Sequence, residues 1–262
     1  KPVTGIHPRV ELPNPEFEDW LEGNRRVDRV FINFSEAEEV VERDGGLGKV
    51  LEPWHLPVIL GTEEDEIVGN RSMQDILDLL QVVQPAVYVP DVAYSYRWMG
   101  EDQQENAIEA YKFHIEDLQS EVLDLNFNVR LVLTNKGWKY KHFRKYKDLV
   151  DRFDFTEFGF YAVQYTGGDA GNASRVMRRH LRNMEAALNP DNVFVIGRLG
   201  SDNLVDFDPF VRGATGLRAW TKELAAEDGY SQIDWPAWRD ERETLLTLNH
   251  NQRIARVNEF GS

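Results

Sequence analysis

Cysteine is absent from the chain. That removes disulfides, thiol nucleophiles and every cysteine-based zinc site. Long apolar runs are missing too: no stretch approaches 18 consecutive apolar residues, so no membrane-spanning helix is expected. The opening residues KPVTGIHPRV hold no apolar signal core, which leads to the expectation of a cytoplasmic protein. The six histidines are scattered and none falls in H-E-x-x-H, so neither a metal nor a cofactor is expected. A G-x-S-x-G elbow and a P-loop are lacking, and no G-x-G-x-x-G opens a helix after the first strand. Lysine is scarce, with nine against 21 arginines.

What is plentiful is acid. Forty-five Asp and Glu set against 30 basic residues give a net charge of −15. This composition suits a soluble protein of a high-salt cytoplasm, and equally an ordinary acidic one. The distinction bears on partners, because in molar salt the Debye length shrinks to about 3 Å and net negative charge no longer vetoes nucleic-acid binding. A hydrophobic content of 42% over 262 residues supports a globular core.

Short apolar runs alternate with helical patterns. Strands are expected at 27–34, 57–61, 86–89, 129–133, 158–164 and 193–197, with a weaker one at 215–220. Helices are expected at 100–123, 171–188 and 235–260. The second places Ala173, Val176, Met177, Leu181, Met184 and Leu188 on one face, and Arg175, Arg178, Arg179 and Arg182 opposite. Units of this kind, repeated about seven times in a chain near the ~250 residues usual for the fold, predict an α/β protein: a (β/α)8 TIM-like barrel. It is read as one domain over 1–262 with a C-terminal helical extension at 235–262. An open doubly wound sheet is the alternative.

In a barrel the chemistry sits at the C-terminal ends of the strands. Asp91, directly after Ala86–Pro90, is placed to accept hydrogen bonds from the edge of a base or to act as an acid or base; a turn or N-cap aspartate is the structural alternative. Glu63, Glu64, Asp65 and Glu66 offer a carboxylate pair, or simply a solvated loop. Gly167 and Gly168 would let a flat ligand approach the backbone, or mark a plain turn. The window KGWKYKHFRKYK brings Lys136, Lys139, Lys141, Arg144, Lys145 and Lys147 among Trp138, Tyr140, Phe143 and Tyr146. Phosphate contacts with base stacking need that mixture. So does an amphipathic helix with a basic exterior and aromatics turned inward.

Over roughly 77–260 the ordered pieces resemble the tRNA-guanine transglycosylase superfamily, nearest to its relatives that put deazaguanine bases into DNA. LQVVQPAVYVPDVAYS resembles the strand that ends in a base-recognising aspartate, here Asp91. VRLVLTNKGWKYKHFRKYKDLVDRF places Asn135 and Gly137 where the family has a glycine-containing turn. FGFYAVQYTGGDAGNASRVMRRHL brings Gln164, Gly167 and Gly168 to the base pocket. NVFVIGRLGSDNLVDFDPFVRGATGLRAW is similar to the final strands, and LLTLNHNQRIARVNEF to the C-terminal helix. The resemblance implies base exchange on DNA or tRNA with a purine-like base: an aspartate attacks the sugar C1′, guanine leaves and a deazaguanine enters. A non-catalytic relative that binds nucleic acid or a modification partner is the alternative, and a homodimer is left open. The chain departs from the family in three places. The late-strand aspartate falls at Gly216, Gly61-Thr62-Glu63-Glu64-Asp65 replaces an Asp-Ser-Gly-Gly turn, and the zinc cysteines of the tRNA enzymes are missing. The resemblance then leaves Asp206, Asp208, Glu63 or Asp65 to supply the nucleophile.

Overall fold

Parallel strands dominate the computed structural model, which describes residues 1–92, 99–165, 170–205, 207–227 and 229–260. The strands are β1 (Gly5–Pro8), β2 (Arg29–Asn33), β3 (Leu56–Leu60), β4 (Val87–Val89), β5 (Arg130–Leu131), β6 (Leu133–Thr134), β7 (Glu157–Tyr161), β8 (Asn192–Ile196) and β9 (Val211–Gly216), followed by a small hairpin, β10 (Ala225–Ala226) and β11 (Gly229–Tyr230). One sheet runs β1-β9-β8-β7-β6 and the other β2-β3-β4-β5, and every pairing within them is parallel. Among the described residues the backbone links the sheets at two places. At Val132, between β5 and β6, the chain steps from one to the other, its N–H donating to Tyr88 O at 2.9 Å. At the far edges Arg9 bridges Phe31 in parallel, with Val10 N–H donating to Phe31 O at 3.0 Å.

The apolar strands are covered on both faces, as their continuous patterning requires. Val3, Phe31, Val58, Leu60, Val87, Val89, Val132, Phe194 and Ile196 form one buried cluster drawn from both sheets, with Tyr161 packed against it. The alternate strand residues, among them Val30, Ile32, Ile59, Tyr88, Leu131, Phe158 and Val195, join the helices in a second cluster. Local signals set the helices. Asn14 caps Pro15–Leu21, which has proline in its first turn; Phe34–Asp44 stops on Gly45 at φ 80°; Ser72 and Asp75 close a capping box on Met73–Val83.

The expected α/β class with parallel strands holds. Three details differ. The strand β1 is not expected from the sequence, because GIHP holds a single strong β-former. The segment expected as a strand at 215–220 is the end of β9 followed by the helix Arg218–Glu223, whose Trp220 stacks on Trp20 at 4.5 Å and meets Trp235 edge-on at 5.7 Å. That aromatic cluster binds Trp220 on a helix rather than a strand. The strand expected at 158–164 ends at Tyr161, and Val163–Tyr165 is a 3-10 turn.

Candidate functional site

Because the strands are parallel, their C-terminal ends share one side of each sheet. Arg9 stands one residue past β1, Glu36 in the first turn of Phe34–Asp44 after β2, Glu63 three residues past β3, and Asp91 two past β4. Lys136 follows β6 by two residues, Tyr161 ends β7, and Arg198 follows β8 by two. Three carboxylates thus occupy three successive strand ends, flanked by cations.

Two of them have a dedicated cation. Asp91 pairs with Lys136, both side chains 8% exposed. Glu63 pairs with Arg71, both 4% exposed, and also accepts from Ser35. Arg71 further donates to Gly61 O at 2.9 Å and lies 3.8 Å over the Phe34 ring, so the turn after β3 is stapled to its own strand end. Lys136 Nζ lies 5.5 Å from the Tyr111 ring centre, an arrangement that holds an ammonium away from water. Glu36 accepts from Asn33 N–H at 3.1 Å and faces Arg9 at a looser 3.6 Å. Burial pushes its carboxyl up to about 7. Burial also raises the Tyr161 phenol, against the pull of Arg9.

Gly61 makes the close approach possible. A Cβ there would sit 2.8 Å from Asp91 N and 2.9 Å from Val89 O, both backbone atoms with little room to yield. Gly61→Ala is therefore expected to cost about 1–3 kcal/mol by overpacking and to displace Asp91. Chemical denaturation checks the first part, and the Asp91 backbone amide shift the second.

Several buried polar atoms at these strand ends have no hydrogen-bond partner among the described residues: Arg9 Nε, Thr62 Oγ1, Asn135 Nδ2, Arg198 Nε and Thr215 Oγ1. Orphaned polar atoms are rare in folded proteins and concentrate where a ligand or ordered water completes them. Asn135 is 7% exposed, and its Oδ1 accepts from Tyr161 N–H at 2.6 Å, which leaves the amide nitrogen as the unspent donor. Among the described residues no group of three His, Asp or Glu side chains is gathered for a metal.

The remaining sequence candidates are dispersed. Asp208 stands three residues before β9, at the opposite end of that strand, where Arg182 grips it through Nε and Nη2 at 3.0 Å each. Gln164 is exposed in the 3-10 turn. Asp65 is exposed and opens the helix Asp65–Asn70. Asp206, Gly167 and Gly168 lie outside the described residues. In the basic window Trp138, Phe143 and Tyr146 are buried, which leaves Tyr140 as its exposed ring. Lys139 and Lys141 pair with Glu101, Lys145 with Glu105 and Glu109, and Lys147 with Asp151, while Arg144 is exposed. Gly137, at φ 84° with its Cβ position 2.6 Å from His142 Cβ, turns the chain so that Lys136 is buried and Lys139 is not.

Sequence reasoning missed Arg9, Glu36, Arg71 and Tyr161. Arg9 follows a first strand that the sequence pattern does not announce, and Glu36 reads as an ordinary capping residue three positions after Asn33. For Arg9, Glu36 and Tyr161 the available signal is position, each following or ending a strand on the side where Asp91 lies; Arg71, directly after the helix Asp65–Asn70, has no such signal. No protein-family model matches this chain, and no curated protein matches it.

Proposed function

We propose that the chain is a (β/α)8 barrel that exchanges a purine-like base in DNA or tRNA at the C-terminal mouth of its strands. Support for closure comes from the pairing order. With β5 and β6 taken as one strand interrupted at Val132, eight strands follow one another from β1 through β9 and back to β2, and the Arg9–Phe31 bridge joins β2 to β1. The observation that carries the function is Asp91: a buried carboxylate at a strand end, paired with Lys136, next along the sheet to the unspent amide of Asn135. A flat heterocycle with donor and acceptor edges suits that combination. In this reading Asp91 accepts from the base, Asn135 donates to it, and Glu63 is the carboxylate that attacks C1′, being the nucleophile candidate found at the mouth among the described residues.

A specific observation favours the non-catalytic alternative. Both Asp91 and Glu63 are engaged by buried cations, and a side chain at Gly216, where the resembled family carries its aspartate, would meet Leu199 Cγ at 3.3 Å, in the strand–helix cluster. Incorporation of radiolabelled guanine and deazaguanine into DNA and separately into tRNA, in dilute buffer and in molar KCl, decides between them. Base exchange gives incorporation by the wild type and at least a hundredfold less by Asp91→Asn. Binding without incorporation establishes the binder, and neither leaves both readings without support.

A further inference from the structure

Of the three carboxylates at successive strand ends, Glu63 and Asp91 are each locked to a cation that is itself almost wholly buried. Glu36 is not. Its side chain is 16% exposed, its cation partner among the described residues is Arg9 at 3.6 Å, and Arg9 is 25% exposed with its Nε unpaired among the described residues. The remaining groups that face Glu36 are Asn33 from its own cap, Glu11 from the loop after β1, and Glu63 from the end of β3. One cation opposes two carboxylates there. An ion pair held loosely beside fixed ones is where a proton can come and go without dismantling the structure.

Resting on the base-exchange reading, we infer that Glu36 is the general acid–base residue of this site, with Arg9 as the group that receives its carboxylate once the proton has left. The step balances within the reaction. As the C1′–N bond breaks, its electron pair goes to the departing base. The carboxyl O–H of Glu36 gives its proton to a ring nitrogen of that base, while the attacking carboxylate forms the new C1′–O bond. Glu36 is left ionised against Arg9. An incoming base with an N–H then returns a proton to Glu36 as its nitrogen re-forms the bond to C1′, and the enzyme carboxylate leaves. Neither oxidant nor metal is called upon.

The environments of the carboxylates fit the division of labour. An acid and a nucleophile in one site must differ in proton affinity, and enzymes separate them by burial on one side and cation contact on the other. Burial dominates at Glu36 and holds its carboxyl at about 7, so that it is partly protonated at neutral pH.

The test has two independent arms. The first reads the proton directly: a carboxyl 13C titration of protein labelled at glutamate, assigned by comparison with Glu36→Gln, should show one resonance with a midpoint near 7 that vanishes in the variant. The second is the pH profile of base incorporation. The wild type should lose rate as pH rises through about 7, Glu36→Gln should lose roughly 10²–10⁴-fold in rate together with that pH dependence, and Arg9→Gln should move the fall to higher pH because a stabilising cation has gone. A Glu36 resonance titrating in the ordinary carboxylate range overturns the inference. So does Glu36→Gln that retains rate and pH profile, and in that case the base-exchange reading survives. A wild type without incorporation overturns the parent reading and the acid role with it.

Discussion

Lys136→Met should destabilise the protein by about 3–5 kcal/mol at neutral pH, because it strands a buried carboxylate without its cation. The pair lies where water cannot substitute: Asp91 and Lys136 are each 8% exposed, and the ammonium rests over the Tyr111 ring. Tyr111 is fixed in turn, its hydroxyl accepting from Thr134 N–H at 2.8 Å. Asp91→Asn, which leaves the ammonium without a full negative charge, should cost a similar amount. The double variant Asp91→Asn/Lys136→Met should recover most of the loss, since replacing both members of a buried pair is often close to neutral. Denaturant unfolding of the four proteins gives the coupling energy; additive single losses would show that the pair is not a pair in solution. On the proposed base-exchange reading, activity separates from stability in this set, because the double variant should fold and still fail to incorporate base.

How much of this was legible follows from what each segment does. Runs such as Val30–Ile32, Val58–Leu60 and Val193–Ile196 announced buried strands because every residue in them is covered, alternately by the inner cluster and by the helices. Strand β1 hid because Gly5 leaves room for the Glu243 carboxylate, which would lie 2.6 Å from a Cβ there, and because His7 stacks on Phe31 at 5.9 Å in place of an aliphatic side chain. Asp91 was legible through its position alone. Glu63 was visible only as part of an acidic run, and nothing in the sequence separates it from Glu64 and Asp65, which stay exposed while Glu63 turns in to Arg71. The basic window read two ways, and its lysines are met by the acidic face of Glu101–Asp124, about 36–40 residues upstream by the lysine pairings with Glu101, Glu105 and Glu109. Such cross-element pairing leaves no trace in a local pattern.

At the opposite ends of the strands a second ionic cluster, with Glu157 buried and the Arg130 side chain 37% exposed, carries a stability prediction of similar size. Arg29, Arg130, Glu157 and Asn192 are the first residues of β2, β5, β7 and β8. Glu157 is 5% exposed, pairs with Arg130, and accepts from Val3 N–H and the Asn192 amide. Arg29 and Arg130 both donate to Lys1 O, at 3.1 and 3.0 Å, and Arg29 also to Pro2 O at 2.6 Å. Residues 1–3 are thereby tied beneath the strands, where Val3 O comes within 2.5 Å of a Cβ position at Gly213. Glu157→Ala removes the one carboxylate of this cluster and leaves two guanidinium groups facing each other, as well as an unpaired N–H. The expected loss is about 3–5 kcal/mol, with Glu157→Gln losing less because its amide oxygen still accepts from Val3. Urea unfolding measures it, and a loss below about 1 kcal/mol would mean that water reaches the cluster and screens it as it does a surface pair. A five-residue strand spans about 16 Å, which separates these charges from Asp91 and Lys136. On the proposed base-exchange reading, Glu157→Ala should therefore lower the folded fraction while leaving incorporation per folded molecule at the wild-type rate, whereas Asp91→Asn/Lys136→Met should do the reverse. Obtaining both halves of that contrast would support the proposal that the chemistry lies at the Asp91 end of the strands and that Glu157 serves stability alone.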